Sequence, residues 1–252
     1  MAKLKEIVSF LDEYLAINEV KDTSWNGLQF QGKEEVKKIV CLVDAGIEPF
    51  KIAIDKKADL IIVHHGHFWK GANPSIVNET KERIDLLYKN NVSLYVSHLP
   101  LDRHKEIGNN ALLLKLLNAK IKEEFLFEEG INISYIGETE KEWSISEIES
   151  ILKEKLKAKP IVLPFGKAKI KRIAVCSGGG SYADFFEALS KKADIFITGD
   201  SSDYYQTAKD SKINVIFAGH HATEIIGVSA LSVLLRNKFK IESEFIDIPT
   251  CL

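Results

Sequence analysis

Segments of the first half of the chain recur in the second half in the same order. Three pairs match: VKKIVCLVDAG (36–46) with IKRIAVCSGGG (170–180), KKADLIIVHHG (56–66) with KKADIFITGDS (191–201), and NNVSLYVSHLPLD (90–102) with SKINVIFAGHHATE (211–224). Short apolar strands often resemble one another by chance, so one interpretation of these matches is generic β-strand similarity. The KKAD matches and the shared His-x-x-x-acid endings are distinctive, however, and they indicate an internal duplication.

Each half alternates Ile- and Val-rich runs of strand length with segments of helical period, such as 47–58 and 182–193. This alternation predicts parallel sheets covered by helices, hence an α/β fold of two related three-layer α/β/α units. Between the halves, 128–140 and 160–165 are predicted strands and 144–158 a predicted amphipathic helix. The tail 239–250 predicts a final strand that returns to the first domain.

We place the domain break where the sequence changes character, at residues 122–130. The first α/β domain is therefore predicted to span 1–124 and to be completed by 225–252. The second α/β domain is predicted to span 125–224.

Composition and charge limit the classes of partner and the cellular compartments that are expected for the protein. A formal net charge of -2 and a pI near 6.4 argue against a surface that neutralises nucleic-acid phosphates over the whole molecule. The longest apolar runs are too short to span a membrane, and the first residues lack a signal-peptide core. Three widely spaced cysteines without a CxxC pair predict no disulfide framework or zinc knuckle, so a reducing cytoplasm is expected.

All seven histidines fall in three short segments, each of which follows an apolar, strand-like run. They are His64, His65 and His67, then His98 and His104, then His220 and His221. Neutral imidazole is the commonest protein metal ligand, and ligands of parallel α/β sheets bind beyond the carboxyl ends of the strands. The clustering therefore predicts a metal site, in the cleft between the two units. His67, His104 and His221 are predicted to lie outside it.

The individual ligands follow from local geometry. His64 and His65 are neighbours on a strand, so both reach one site only if the chain turns there, which Gly66 permits. Pro100 prevents an immediate helix, so His98 and Asp102 are expected on an irregular loop. Asp102 could bridge two cations about 3.5–4 Å apart.

His220 and Glu224 are four residues apart, which on a helix places both on one face. On such a helix Thr223 does not share the face of His220 and Glu224, but its hydroxyl could hydrogen-bond a ligand at the helix N-terminus. Together with the first-half residues, these side chains supply donors for two divalent cations in an incomplete shell. Zinc, iron and manganese all suit such ligands.

Two other segments carry weaker signals. The backbone amides of CSGGGSY (176–182) could bind a phosphate. The segment lacks both the GxGxxG and the GxxxxGK(S/T) motif, however, so a tight structural turn is the preferred interpretation. The basic run 153–172 could face nucleic acid, yet Phe165 is its single aromatic residue and much of the run lies on a solvated helix face. Cys176 has no base partner in the sequence, which disfavours a thiol nucleophile.

Several motifs in combination resemble the NGG-interacting-factor-three-like family, often named GTP cyclohydrolase 1 type 2 homologues. The motifs are WNGLQ (25–29), DLIIVHHGHFW (59–69), YVSHLPLD (95–102), CSGGG (176–180), ADIFITGD (193–200) and GHHATE (219–224). The resemblance implies a duplicated α/β architecture, a dinuclear metal centre and ring-shaped homohexamers. By motif, the implied metal ligands are His64, His65, Asp102, His220 and Glu224, with His98 at a further polar position. Asn26 and Gln29 would lie near the cleft.

The sequence departs from the family pattern at two places. Gly66 stands where a proline often follows the histidine pair. GDSSDYYQTA (199–208) replaces a Gly-Glu followed by histidines, which leaves Asp200 and Tyr204 or Tyr205 as substitutes.

The leading hypothesis is a metal-dependent hydrolase that activates water on two divalent cations, with His98 as catalytic proton shuttle. A small, nucleotide-like substrate is implied by the family name alone. The alternative is a metal-binding regulatory or scaffold protein without catalysis, whose function lies in partner contacts. A third hypothesis is nucleic-acid binding through the basic run 153–172.

Overall fold

The computed structural model describes residues 1–128 and 130–250, which form two compact units. The first unit comprises Met1–Leu101 and Gly227–Ile248, and the second comprises Asp102–Ile226 with residues 249 and 250.

The first unit has short helices around a five-stranded sheet and a two-stranded ribbon. In chain order its elements are β1 (Ala2–Lys3), α1 (Leu4–Tyr14), a 3₁₀ turn (Ile17–Glu19), β2 (Gly27–Phe30), β3 (Glu35–Val36), β4 (Lys38–Asp44), α2 (Ile47–Asp55), β5 (Leu60–His65), α3 (Asn78–Asn90) and β6 (Ser93–Val96). The division after Leu101 falls inside the next helix, α4 (Leu99–Arg103).

The second unit has a larger sheet and more helices. Its elements are α5 (Asn109–Leu116), β7 (Lys120–Glu128), β8 (Ile131–Trp143), α6 (Ile145–Leu156), β9 (Ile161–Pro164), β10 (Ile170–Cys176), α7 (Tyr182–Ser190), β11 (Ile195–Thr198), α8 (Tyr205–Ser211), β12 (Asn214–Phe217) and α9 (His220–Phe239). The division at Ile226 falls inside α9, and the chain continues into β13 (Glu242–Phe245).

The five strands of the first sheet lie in the order β13-β4-β5-β6-β2. The first four are parallel, and β2 is antiparallel to β6. The strand predicted in the tail is confirmed, because β13 pairs with β4 in the first unit. The sheet is mixed rather than wholly parallel, because β2 reaches its edge through a loop and not through a crossover helix.

Side chains from both faces of the first sheet are buried. On one face, Val40 and Ile61 pack against Phe50 and Ala53 of α2. On the other face, Tyr95 donates a hydrogen bond of 2.8 Å to Asp12 of α1. This burial explains why β4 and β5 are almost continuously apolar, as expected for a parallel sheet that is covered on both faces.

The second sheet has the order β7-β8-β10-β11-β12-β9. Its central strands β10, β11 and β12 are parallel, whereas β8, β7 and β9 pair antiparallel with their neighbours. The helix predicted over 144–158 and the strand predicted over 160–165 are confirmed as α6 and β9.

The second sheet is also buried on both faces. Ile173 and Ile195 pack with Leu114 of α5 and Leu152 of α6. On the opposite face Phe185 of α7 is fully buried, and aromatic residues surround it. Its ring stacks on that of Tyr204 at 4.8 Å and lies 6.2 Å from that of Phe196. The fold class predicted from the sequence is confirmed: two related α/β units, each with a sheet between helical layers.

One polar contact recurs in both units and supports the duplication. Asp59 accepts hydrogen bonds from Lys33 Nζ and from the backbone amides of Lys37 and Lys38. In the second unit, the Asp of the other KKAD motif does the same. Asp194 accepts from Lys167 Nζ and from the amides of residues 171 and 172. Each aspartate directly precedes one strand, and its carboxylate binds the backbone at the start of the neighbouring strand of the same sheet.

The units divide after Leu101, whereas the change in sequence character predicts the first division at residue 124. The reason lies in α5, whose apolar side chains join the core of the second unit. Residues 122–128 belong to β7, which pairs with β8. A change in composition there reflected an edge strand and not a linker.

Among residues 1–128 and 130–250, no helix combines the length and the hydropathy that a membrane crossing requires.

Candidate metal centre

Three histidines converge at the carboxyl end of the first sheet. His64 and His65 end β5, and His98 follows β6. One ligand atom from each ring lies within 4.8 Å of the others, and the ring centroids are 4.8 to 5.6 Å apart. Nitrogen donors at this spacing could hold a metal ion.

Each ring of this cluster is anchored through Nδ1 to an oxygen acceptor. His64 Nδ1 bonds the Ser97 carbonyl at 2.9 Å, and His65 Nδ1 bonds Asp44 Oδ1 at 2.7 Å. His98 Nδ1 lies 3.0 Å from both Asp22 oxygens. A neutral imidazole that donates through Nδ1 carries its lone pair on Nε2. This is the arrangement that accompanies metal-binding histidines.

Gly66 has a different role from the predicted turn. β5 runs through both histidines, so the chain leaves the strand only after the pair. A Cβ at Gly66 would lie 2.7 Å from Gln29 Nε2 and from the Val96 side chain. Glycine is therefore needed because neighbouring side chains approach closely.

The loop after the histidine pair is held by Gln29. Its Oε1 accepts hydrogen bonds from the amides of His67 and Phe68, at 2.9 and 3.1 Å. Its Nε2 donates to the Trp25 carbonyl at 2.7 Å. Gln29 of the WNGLQ motif thus holds the loop that follows His64 and His65.

Sequence reasoning missed Asp22. This residue is 7% exposed and lies 76 positions before His98. Asn26, the other polar residue of the network, donates to Asp22 Oδ2 at 2.8 Å and accepts from the His98 amide at 2.7 Å. No local pattern marks Asp22, since its partner lies far away along the chain.

In the second unit, His220 and Glu224 occupy the first turns of α9. His220 Nε2 lies 3.3 Å from Glu224 Oε1, and Asp200 Oδ1 lies 3.0 Å from His220 Nδ1. The hydrogen bond with Glu224 raises the pKa of His220 to about 9, although burial opposes this. Glu224 is 2% exposed. The i,i+4 spacing therefore brings an imidazole and a buried carboxylate together, as the helix predicts.

Asp102 is buried in the second unit and is fixed by two donors. Its Oδ1 accepts from Ser177 Oγ at 2.7 Å and from Asn109 Nδ2 at 2.8 Å. It lies on α4, not on the irregular loop that was predicted. Pro100 fits the first turn of that helix, where proline is tolerated because its missing N–H is not needed.

The glycine-rich segment 176–180 closes tightly on the second-unit pair. Gly178 has a φ of +63°, and a Cβ there would lie 2.4 Å from Glu224 Oε1. Its amide donates to Thr223 Oγ1 at 2.9 Å. The segment is a structural turn whose glycine lets the backbone approach Glu224, and the Thr223 hydroxyl is used to hold it.

The sequence model of the family described as Duf34/NIF3 (NGG1p interacting factor 3) matches residues 2–251. The chain belongs to the DUF34/NIF3 family. The resemblance drawn from the sequence motifs is thereby confirmed.

Members of the DUF34/NIF3 family match the chain over its full length. The GTP cyclohydrolase 1 type 2 homolog of Pyrococcus abyssi is 47% identical over 250 residues, which cover 98% of this chain and 99% of that protein. A solved structure described as protein ybgI, of unknown function, is 36% identical, with full coverage of both chains and a TM-score of 0.93. TTHA1606 from Thermus thermophilus is 33% identical, also with full coverage, at a TM-score of 0.88.

For this DUF34/NIF3 chain, the donor set fits a metal ion. Histidine and glutamate groups that could hold one are present among the described residues. The donors are imidazole nitrogens with anchored Nδ1 atoms and buried carboxylates, which divalent transition metals favour.

The histidines predicted to lie outside the site have other contacts. His67 Nδ1 lies 3.4 Å from Arg83 Nη1, and burial together with this cation lowers its pKa. His104 Nδ1 accepts from the amides of Glu106 and Ile107. His221 is buried.

The residues at the family departure serve different purposes. Asp200 orients His220, as described above. Tyr204 is buried and donates to the Gly180 carbonyl, whereas the partly exposed Tyr205 packs edge-on against Phe165 at 5.0 Å. Burial raises the pKa of Cys176, which is consistent with an inert thiol.

Proposed function

We propose that the protein is a metal-dependent hydrolase that uses two divalent cations, bound by five side chains. These ligands are His64, His65, Asp102, His220 and Glu224. Zinc, iron and manganese all suit this mixture of imidazole and carboxylate donors.

The observation that carries the proposal is the shared anchoring of the histidine rings. Three of the proposed ligands, His64 and His65 at the end of β5 and His220 at the start of α9, each direct Nδ1 to an oxygen acceptor. In His220 the other ring nitrogen, Nε2, lies 3.3 Å from Glu224, the carboxylate proposed as a further ligand. An anchored Nδ1 is the arrangement that accompanies metal-binding histidines.

When bound, the cations would supply Lewis acidity and lower the pKa of water toward neutrality. The protein's own contribution is to hold the reacting groups. His98 keeps its Nε2 lone pair beside the histidine pair, so it is suited to accept the proton released during hydrolysis. The indole of Trp69 lies edge-on to the His98 ring, with the ring centroids 5.0 Å apart.

A nucleotide-like substrate is supported by the name of the relatives, GTP cyclohydrolase 1 type 2 homolog. Trp69 offers an aromatic surface next to His65 and His98 on which a planar base could pack.

The test is a turnover screen of metal-loaded protein with GTP, other nucleoside triphosphates and model phosphoesters. Glu224→Gln is the blank, and His104→Ala, which changes a histidine outside the proposed ligand set, is the matched control. We expect turnover by the wild type and the control but not by the blank. Absence of turnover on every compound by protein that holds its metal would overturn hydrolysis and favour a metal-binding scaffold.

We also propose that the chain self-associates as a ring-shaped homohexamer. Exposed aromatic side chains on the second unit support an interface, namely Phe127, Tyr182 and Phe186 at 68%, 44% and 51% exposure. Native mass spectrometry should give six chains per particle, and a monomer at micromolar concentration would contradict this.

A further inference from the structure

Asp22 is a buried carboxylate beside His98 in the first unit. Its side chain is 1% exposed, and four groups donate to it. They are His98 Nδ1, Asn26 Nδ2 and the amides of Ser24 and Leu99. Burial raises the pKa of Asp22, but the hydrogen bonds from His98 and Asn26 outweigh it and lower the pKa to about 2. The carboxylate is thus ionised at neutral pH.

We propose that Asp22 is the positioning residue of His98: it holds the imidazole as the Nδ1–H tautomer and directs the Nε2 lone pair toward His64 and His65. The inference rests on the proposed function in one respect, namely that His98 accepts a proton during hydrolysis. The tautomer itself is a property of the metal-free protein.

The physical reason is that an imidazole has two interchangeable sites for its proton. A carboxylate can only accept, so a ring nitrogen 3.0 Å from both Asp22 oxygens must be the protonated one. Asn26 adds a second anchor, because its Oδ1 accepts from the His98 backbone amide. Ring and backbone are therefore fixed by one connected network.

Asp44 provides a comparison within the same unit. It bonds His65 Nδ1 at 2.7 Å, but its side chain is 37% exposed. Solvent therefore competes for Asp44, whereas Asp22 is shielded and its geometry is fixed by four donors. The carboxylate that faces His98 is thus the better shielded of the two, which favours a fixed orientation of a proton-accepting ring.

A purely structural role is the competing explanation, since Asp22 also binds the amides of Ser24 and Leu99. The two roles differ in what they do to the His98 ring. A structural carboxylate would affect stability, whereas a positioning carboxylate also sets where the imidazole proton lies.

The test is long-range ¹H–¹⁵N NMR of metal-free protein with ¹⁵N-labelled histidine at neutral pH. In the wild type, His98 should show a protonated Nδ1 and an unprotonated Nε2. Asp22→Asn should move the ring toward the Nε2–H form. Asp12→Asn is the matched control, because it removes a carboxylate that bonds a buried Tyr95 hydroxyl in the same unit, and it should leave His98 unchanged.

Two results would overturn the proposal. A wild-type His98 with its proton on Nε2 would do so without any variant, even if Asp22→Asn fails to fold. An unchanged His98 tautomer in folded Asp22→Asn would assign Asp22 a structural role only.

A second readout separates this inference from the proposed function. If the hydrolase activity exists, Asp22→Asn should lower kcat/KM about 10- to 100-fold while metal content stays at the wild-type level. Addition of zinc should leave the His98 Nε2 resonance outside the metal-bound range, and a metal-bound shift would overturn the proton-accepting role. Absence of any turnover would defeat the proposed function but would not alter the tautomer result.

Discussion

The two units place different side chains at the ends of matching strands. In the first unit, β5 ends in His64 and His65, and the matching strand β11 of the second unit is followed by Gly199 and Asp200. In both units a carboxylate faces an imidazole Nδ1: Asp44 in the first and Asp200 in the second. The duplicated scaffold was kept while its strand ends acquired separate chemistry.

The scaffold itself is alike down to single residues. Phe50 and Phe185 precede the two KKAD motifs by the same number of positions, and both are fully buried. Asp59 and Asp194 make the same three hydrogen bonds. Core packing and strand-end chemistry have therefore diverged independently, and substitutions at equivalent positions of the two units can separate their effects.

The largest effect is expected from the paired phenylalanines. Phe50→Ala and Phe185→Ala should each destabilise the protein by about 3–5 kcal/mol, through lost burial and an unfilled cavity. Phe185→Ala should cost more, because it also loses the stacked Tyr204 ring. Urea unfolding measures both free energies of unfolding. A smaller loss of stability for Phe185→Ala than for Phe50→Ala would contradict the contribution assigned to the Tyr204 ring.

The next effect concerns the KKAD carboxylates. Asp59→Asn and Asp194→Asn should each cost about 1–3 kcal/mol near neutral pH, because a lysine and two backbone amides lose a charged acceptor. Burial raises the pKa of each aspartate, but the lysine and backbone donors outweigh it and leave the pKa below its usual value.

The sign of the pH dependence follows from these lowered pKa values. The stabilisation is present above the unfolded pKa of about 3.9 and is lost as the pH falls through the lower folded pKa. The gap in unfolding free energy between wild type and variants should therefore shrink in acid. A gap that grows on acidification would contradict this assignment.

Metal affinity should respond to the carboxylates that hold the imidazoles. Asp44→Asn and Asp200→Asn should each weaken zinc binding by about 10- to 100-fold, because the ring loses its orienting acceptor. Competitive titration with a chromophoric chelator measures this. Unchanged affinity in either variant would show that its unit does not contribute an oriented ligand.

The smallest effect distinguishes the two equivalent helices. Ser181 caps α7 in a reciprocal box with Asp184, whereas the N-cap of α2 is Gly46, which offers no side-chain bond. Ser181→Ala should therefore cost about 1 kcal/mol. Thermal unfolding compared with Asp184→Ala tests the box, and full stability of Ser181→Ala would show that water replaces the cap.

Local patterns predicted much of the fold. The helical period over 144–158, the strand at 160–165 and the returning tail strand are encoded by neighbouring residues. The unit division was missed because α5 is assigned by its packing on β8 and β10, which no local signal reveals.

The site divides in the same way. The spacing of His220 and Glu224 is sufficient to place them on one helical face. Asp22 was beyond reach, since its contact with His98 depends on the tertiary fold. Pro100 predicts a loop at Asp102 when read as a helix breaker, but proline is also tolerated in the first turn of a helix, and α4 is such a case.

The most direct test of the central claim is the metal content of the purified protein, measured by inductively coupled plasma mass spectrometry. The wild type and His104→Ala should hold about two divalent transition-metal ions per chain. His64→Ala, in the first unit, and Glu224→Ala, in the second, should each lose bound metal. Full occupancy in both of these variants would contradict the proposed centre.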